Sequence, residues 1–203
     1  PPPPMNLEVQ DIRAWTQDYL QLVTDMLNTE GQDADSVLDQ LVAWMPEEST
    51  FEGERPPSAW SRAVDLDRDG EDEWIISVPG MDMGCMATFC PAYVLIFEKL
   101  GGLFKPVHVV LHDENTWILS TPSIVTIDDI NVDGREELVL REDTCGANTC
   151  MTSLLLGSWD GRQWHDLTVD QIEQTYSEFT IEDRDGDGVQ EIVLFGGYAG
   201  SAG

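Results

Sequence analysis

Three nine-residue stretches of this chain share one spacing: "DLDRDGEDE" from Asp65, "DINVDGREE" from Asp129 and "DRDGDGVQE" from Asp183. Each has an acid or amide at positions 1, 3 and 5, Gly at position 6 and Glu at position 9. Each then runs directly into an apolar segment, "WIISV", "LVL" or "IVLFGG". Like charge crowded this closely repels itself and stays solvated unless opposite charge sits among it. The chain is therefore restricted to folds that hold three tight acidic turns, each feeding a strand.

The same stretches mark an internal repeat. Cys85 to Cys145 and Cys90 to Cys150 are each 60 residues apart, and the register continues from Gly101 to Gly161 and from Phe104 to Trp164. The acidic stretches themselves are offset by 64 and then 54 residues. A period of this size signals stacked supersecondary units. Each full copy reads as four strands, at roughly 59–64, 74–79, 92–98 and 103–111, then roughly 123–127, 138–142, 151–158 and 162–168. "LGG" and "WDG" supply the hairpin turns between the last two strands of each copy. The expected fold is mainly β with an α-helical N-terminal region, and its four-stranded antiparallel meanders resemble propeller blades. Two copies are full and one is partial, open rather than closed: about 59–112, about 122–169 and about 177–203 within a repeat domain of 51–203.

Residues 1–50 read differently. "PPPPMN" suits a tether or polyproline II segment, and the absence of an initiator Met or signal sequence suggests a mature chain whose targeting segment is gone. Val9, Ile12, Trp15, Tyr19, Leu22, Val23 and Met26 recur at helical spacing, and Val37, Leu38, Leu41, Val42 and Met45 mark a second helix that Pro46 ends. "PEESTFEGERPPS" reads as a linker.

With 39 acidic against 10 basic side chains, net −29, the chain is a poor partner for nucleic acid or an anionic membrane. Its 41% hydrophobic content supports a core, yet runs such as "YVLIF" and "SLLLG" fall short of the roughly 20 residues of a membrane span. Cations are the natural partners. The cysteines form two local pairs, Cys85/Cys90 and Cys145/Cys150, which suggests two short-loop disulfides and an oxidising, extracellular setting. A four-Cys zinc site is the competing reading, although zinc ligands usually come as C-x2-C knuckles.

Alternate residues around a tight turn point their oxygens inward, and Ca²⁺ takes six to eight oxygens at about 2.3–2.6 Å. The expected ligands are Asp65, Asp67, Asp69 and Glu73; Asp129, Asn131, Asp133 and Glu137; and Asp183, Asp185, Asp187 and Glu191. The backbone carbonyls of Glu71, Arg135 and Val189 join them at position 7. Three Ca²⁺ sites are expected, the second weakest because Asn131 leaves it three carboxylates. Arg68 and Asp72 are left to solvent. An EF-hand would carry its Glu at position 12 and continue into a helix, whereas position 12 here is Ile76, Leu140 and Leu194. Mg²⁺ seldom fills an all-protein cage. Without metal, the same residues would make ordinary acidic turns.

The pattern D-x-[DN]-x-D-G-x-x-E before an apolar strand, recurring about every 60 residues, resembles the FG-GAP or VCBS type of calcium-binding β-propeller repeat found in integrin α-chains and bacterial surface proteins. "FGGYAG" at Phe195 is the nearest match to the flanking signature. The resemblance covers roughly residues 59–203 and implies blade-like sheets stiffened by calcium.

A closed propeller has four to eight blades. Fewer leave sheet edges that invite pairing with another chain, and head-to-tail contacts that do not close build filaments. The expected function is an extracellular calcium-binding structural subunit of a filament or surface assembly, a homopolymer. The alternative is a monomeric recognition or adhesion module for glycan or protein ligands at a cell surface, with Trp159 and Trp164 as candidate contacts. His108, His112 and His165 are scattered and no nucleophile motif stands out, so no enzyme is expected. "NTC" at Asn148 only approximates a glycosylation sequon.

Overall fold

The structure, a computed structural model, describes residues 12–29, 33–43, 60–79, 92–110, 122–145, 150–168, 172–175 and 177–196. The Pro-rich start, Val9, Met45, Pro46, the linker, Cys85, Cys90, His112, Asn148 and the end of "FGGYAG" lie outside them. The chain divides into two units, one drawn from Pro1–Val64 and Glu71–Thr121, the other from Asp65–Gly70 and Pro122–Gly203. The fold is mainly β, and no sheet among the described residues closes on itself.

In the first unit, α1 (Ile12–Leu27) and α2 (Ala34–Ala43) precede the antiparallel sheet β1 (Trp60–Val64), β2 (Glu73–Pro79), β3 (Ala92–Leu100) and β4 (Leu103–Val110), in that order. Asp33 caps α2, its Oδ1 accepting the Ser36 N–H at 2.8 Å, which supplies one of the orphan donors of the first turn. Gly101 and Gly102 both have positive φ, 61° and 85°, as a two-residue hairpin joining right-twisted strands requires.

The helices pack on the sheet through Leu20, Val23, Leu27, Ala34, Val37, Leu38 and Leu41 against Ile76, Leu95, Phe97 and Phe104. Among the described side chains of α1, Leu20, Val23, Thr24 and Leu27 are buried; of the expected stripe Val23 is at its centre and Met26 packs against the core, while Leu22 is half-buried. Thr24 was not anticipated there because it is polar; its hydroxyl donates to the Leu20 carbonyl at 2.6 Å, which removes the cost of burying it. Full burial of each large apolar side chain contributes about 1.5–3 kcal/mol. Trp74 meets the Phe104 ring edge-to-face at 5.7 Å. Asn28 completes the junction by acting as a strand partner, its Nδ2 donating to the Phe104 carbonyl at 2.8 Å and its Oδ1 accepting the Phe104 N–H at 2.7 Å.

The second unit holds the sheet β5 (Ser123–Asp128), β6 (Glu137–Cys145), β7 (Cys150–Trp159) and β8 (Trp164–Asp166), with β9 (Ile172–Thr175) also on β7. β8 pairs with Gly157–Trp159 and β9 with Met151–Leu154, both antiparallel. Together they are one fourth strand, broken between its halves, so the meander extends past the expected end near residue 168. Leu138, Val139, Leu140, Leu154, Leu155 and Trp159 are among its buried apolar side chains. The partial third copy is the two-stranded sheet β10 (Ser177–Glu182) with β11 (Glu191–Gly196).

Replacing Asn28 removes two partly buried backbone partners at once. Asn28→Ala is expected to destabilise the first unit by about 2 kcal/mol, read as a lowered midpoint in urea with an unchanged slope.

Candidate metal centre

Each acidic stretch links one strand to the next, and its position-1 carboxylate organises the turn. Asp65 accepts the N–H groups of Asp69 and Gly70 at 2.9 Å each, and Asp129 those of Asp133 and Gly134 at 2.9 and 3.0 Å. Asp183 accepts Gly186 and Gly188 at 2.6 and 3.0 Å. Position 3 then accepts the N–H of position 5: Asp67 from Asp69, Asn131 from Asp133 and Asp185 from Asp187, at 3.1, 2.8 and 3.2 Å. These bonds wind the backbone so tightly that positions 4 and 6 both turn left-handed. Gly70, Gly134 and Gly188 have φ of 95°, 95° and 94°, and position 4 is Arg68 at 61°, Val132 at 60° and Gly186 at 81°.

The turns bring together Asp65, Asp67 and Glu73 in the first loop, and Asp183, Asp185 and Glu191 in the third, each set offering carboxylate oxygens within 4.8 Å of one another. Positions 1, 3 and 9 thus converge as read from the spacing, and these two groups could hold a metal ion. Asp69 and Asp187 fall outside the groups; Asp187 Oδ1 accepts the Val189 N–H at 2.8 Å, as Asp133 Oδ1 accepts that of Arg135 at 3.0 Å. In the middle loop Asn131 supplies an amide where the others have Asp67 and Asp185.

The loops are also joined to each other. The N–H of Glu136, at position 8 of the second loop, donates to the carbonyl of Leu66, at position 2 of the first, at 3.0 Å. Gln190 repeats the bond to Ile130, between the same positions of the third and second loops, at 2.7 Å. Leu66 and Ile130 are both buried, so each junction combines a backbone bond with an apolar anchor. Across the first junction Arg68, exposed as expected, also bonds Glu136 Oε1 through Nε and Nη2 at 3.0 and 2.8 Å and Asp129 Oδ2 through Nη1 at 3.3 Å. Its hydrogen bond to Glu136, then the charges of Glu136, Asp129 and Asp128, raise its pKa. The basic residue amid acidic neighbours was visible in sequence, but its target lies 68 residues away.

Gly161, in the "WDG" turn, packs so closely on Asp67 that a Cβ there would collide with the carboxylate. In the same turn Asp160 binds His165 Nε2 at 2.8 Å and the N–H groups of Arg162 and Gln163. The His165 bond, first, and the Gln163 amide hold its pKa down at about 2. Trp159 is buried and the Trp164 ring lies against Gly157.

Burial pushes the Asp67 carboxyl up, and the charges of Asp69 and Asp65 add to it. Burial likewise raises Glu137, with Asp133 and Asp129 adding. A carboxylate with a raised folded-state pKa binds protons more readily folded than unfolded, so it favours folding as pH falls. In calcium-free buffer the melting temperature is therefore expected to rise as the pH falls from neutral towards the ordinary carboxylate range. It should fall again below about pH 4, where Asp160, whose depressed pKa stabilises above 3.8, loses its charge towards about 2. A thermal series across pH checks both limbs.

Val132 holds a left-handed conformation that costs a β-branched residue about 1–2 kcal/mol, while its side chain is 63% exposed. Val132→Gly, which makes position 4 like that of the third loop, is expected to raise stability by up to about 1 kcal/mol after the entropy cost of Gly, measured by denaturant unfolding. Searches for similar proteins found no matching family model, no matching curated protein and no matching solved structure, so the reading of these loops rests on their own geometry.

Proposed function

We propose that this chain is an extracellular calcium-binding structural protein, a subunit that assembles head-to-tail into a filament or surface layer. The observation that carries the reading is the convergence of carboxylates at positions 1, 3 and 9 of repeated loops that are bonded to one another by the same backbone contact. Calcium is the preferred ion because the donors are all hard oxygens arranged around a turn. It is assigned to Asp65, Asp67 and Glu73 and to Asp183, Asp185 and Glu191. Ions there would rigidify the turns that launch β2 and β11, and the FG-GAP or VCBS resemblance is part of this proposal.

Head-to-tail assembly draws support from β11, which among the described residues pairs only with β10 and carries Phe195 at 48% exposure. An edge of this kind accepts a further strand. A Cys145–Cys150 disulfide and the oxidising setting it implies belong to the same reading, supported by a register that sets these two residues directly opposite each other. The alternative of a monomeric glycan- or protein-recognition module draws no support from Trp159 or Trp164, whose rings are engaged in packing. No catalytic role is assigned to His165, which is committed to Asp160.

Thermal melting with and without EGTA, followed by electron microscopy in millimolar calcium, tests the proposal. An ion that binds only the folded state adds about 2.7 kcal/mol per site at a hundredfold excess over Kd, so a higher melting temperature with calcium is expected, together with filaments or sheets. Unchanged melting after verified metal removal would sink the calcium assignment. A calcium-dependent shift with only monodisperse particles would remove the assembly and leave the ion sites standing.

A further inference from the structure

The three loops share left-handed residues at positions 4 and 6, and they differ most in their side chains. In the middle loop each carboxylate at a ligand position also meets a side-chain donor from the chain itself. Asp129 Oδ2 faces Arg68 Nη1 at 3.3 Å, and Asp133 Oδ2 faces Arg135 Nη1 at 3.8 Å. Glu137 Oε1 accepts Asn131 Nδ2 at 3.1 Å. The orientation of that amide follows from its neighbours: the Asp133 N–H, bonded to Asp129 Oδ1, also meets Asn131 Oδ1 at 2.8 Å, where an NH₂ group, which cannot accept, would set donor against donor. Nδ2 is thereby turned towards Glu137 and, at 3.4 Å, Asp133. A donor stands where Asp67 and Asp185 present a second oxygen.

We propose that the middle loop is not a third ion site: Arg68, Arg135 and the Asn131 amide take the place of the ion among Asp129, Asp133 and Glu137. The neighbouring loops carry different side chains at the positions that build it. Position 7 is Arg135 in the middle loop but Glu71 in the first and Val189 in the third. Arg68 leaves its own loop to reach the middle one, and the residue at its position there, Val132, brings no charge to the third. Arg184 of the third loop meets Glu182, outside the ligand positions, at 3.5 Å. The middle loop is thus a permanently filled joint between two that exchange ions. This inference refines the calcium reading and changes its stoichiometry from the three that spacing alone predicts to two.

Calcium titration of the intact chain by calorimetry, with native mass spectrometry to count bound ions, decides it. Two equivalents are expected, falling to one in Asp65→Asn or Asp183→Asn and staying at two in Asp129→Asn. Three equivalents in the unsubstituted chain, or a loss in Asp129→Asn, overturn this inference alone. Uptake of no ion overturns both it and the calcium reading. Should Asp129→Asn fail to fold, the combined Arg68→Met, Asn131→Asp and Arg135→Val variant settles the point. A third equivalent there supports the inference, and an unchanged two overturns it.

Discussion

Everything in the acidic turns depends on one carboxylate binding two backbone amides. Asp65, Asp129 and Asp183 each hold two N–H groups from the far side of their own loop, and that grip forces two left-handed residues into five positions. Glycine meets the demand freely at position 6. At position 4 the chain tolerates Arg68 and Val132, which shows that the amide contacts outweigh the local strain. The following strand inherits its starting direction from this turn, so the sheets are aimed by their loops.

The loops also face a charge problem. Anionic oxygens brought together need compensation, and a chain can supply it from its own cations or leave room for foreign ones. Arg68 illustrates the first route: a single guanidinium satisfies Glu136 and Asp129 while stitching one loop to the next. The convergent oxygens of the first and third loops are suited to the second route. Backbone bonds from Glu136 to Leu66 and from Gln190 to Ile130 keep the joints alike even where the side chains diverge.

Strand positions were legible because apolar runs bounded by Gly and Asp carry their own punctuation. β1 to β7 fall within about two residues of the segments read from periodicity, except where β6 runs on to Cys145. The convergence of positions 1, 3 and 9 in the first and third loops was legible because it is local, set by spacing within nine residues. What was not legible depends on distant partners. β9, with the polar sequence "IEQT", is a strand because β7 is ten residues long and has an edge to fill. Arg68 looks like solvent-facing charge until Glu136 is placed beside it. The α1 stripe was read in part, through Val23 and Met26, while Thr24 escaped notice because its hydroxyl is satisfied within its own helix.

The fastening of α1 to the first sheet has a bearing on how the chain is made. Asn28 bonds Phe104 across 76 residues, and the other strand residues beneath the helices, Ile76, Leu95 and Phe97, are likewise synthesised long after them. On a ribosome the helices emerge first, with their apolar faces uncovered until β4 has left the exit tunnel. Long-range closure of this kind is slow and exposes sticky surface meanwhile. The N-terminal helices therefore gain their apolar cover only once β4 is made and Phe104 can take up Asn28.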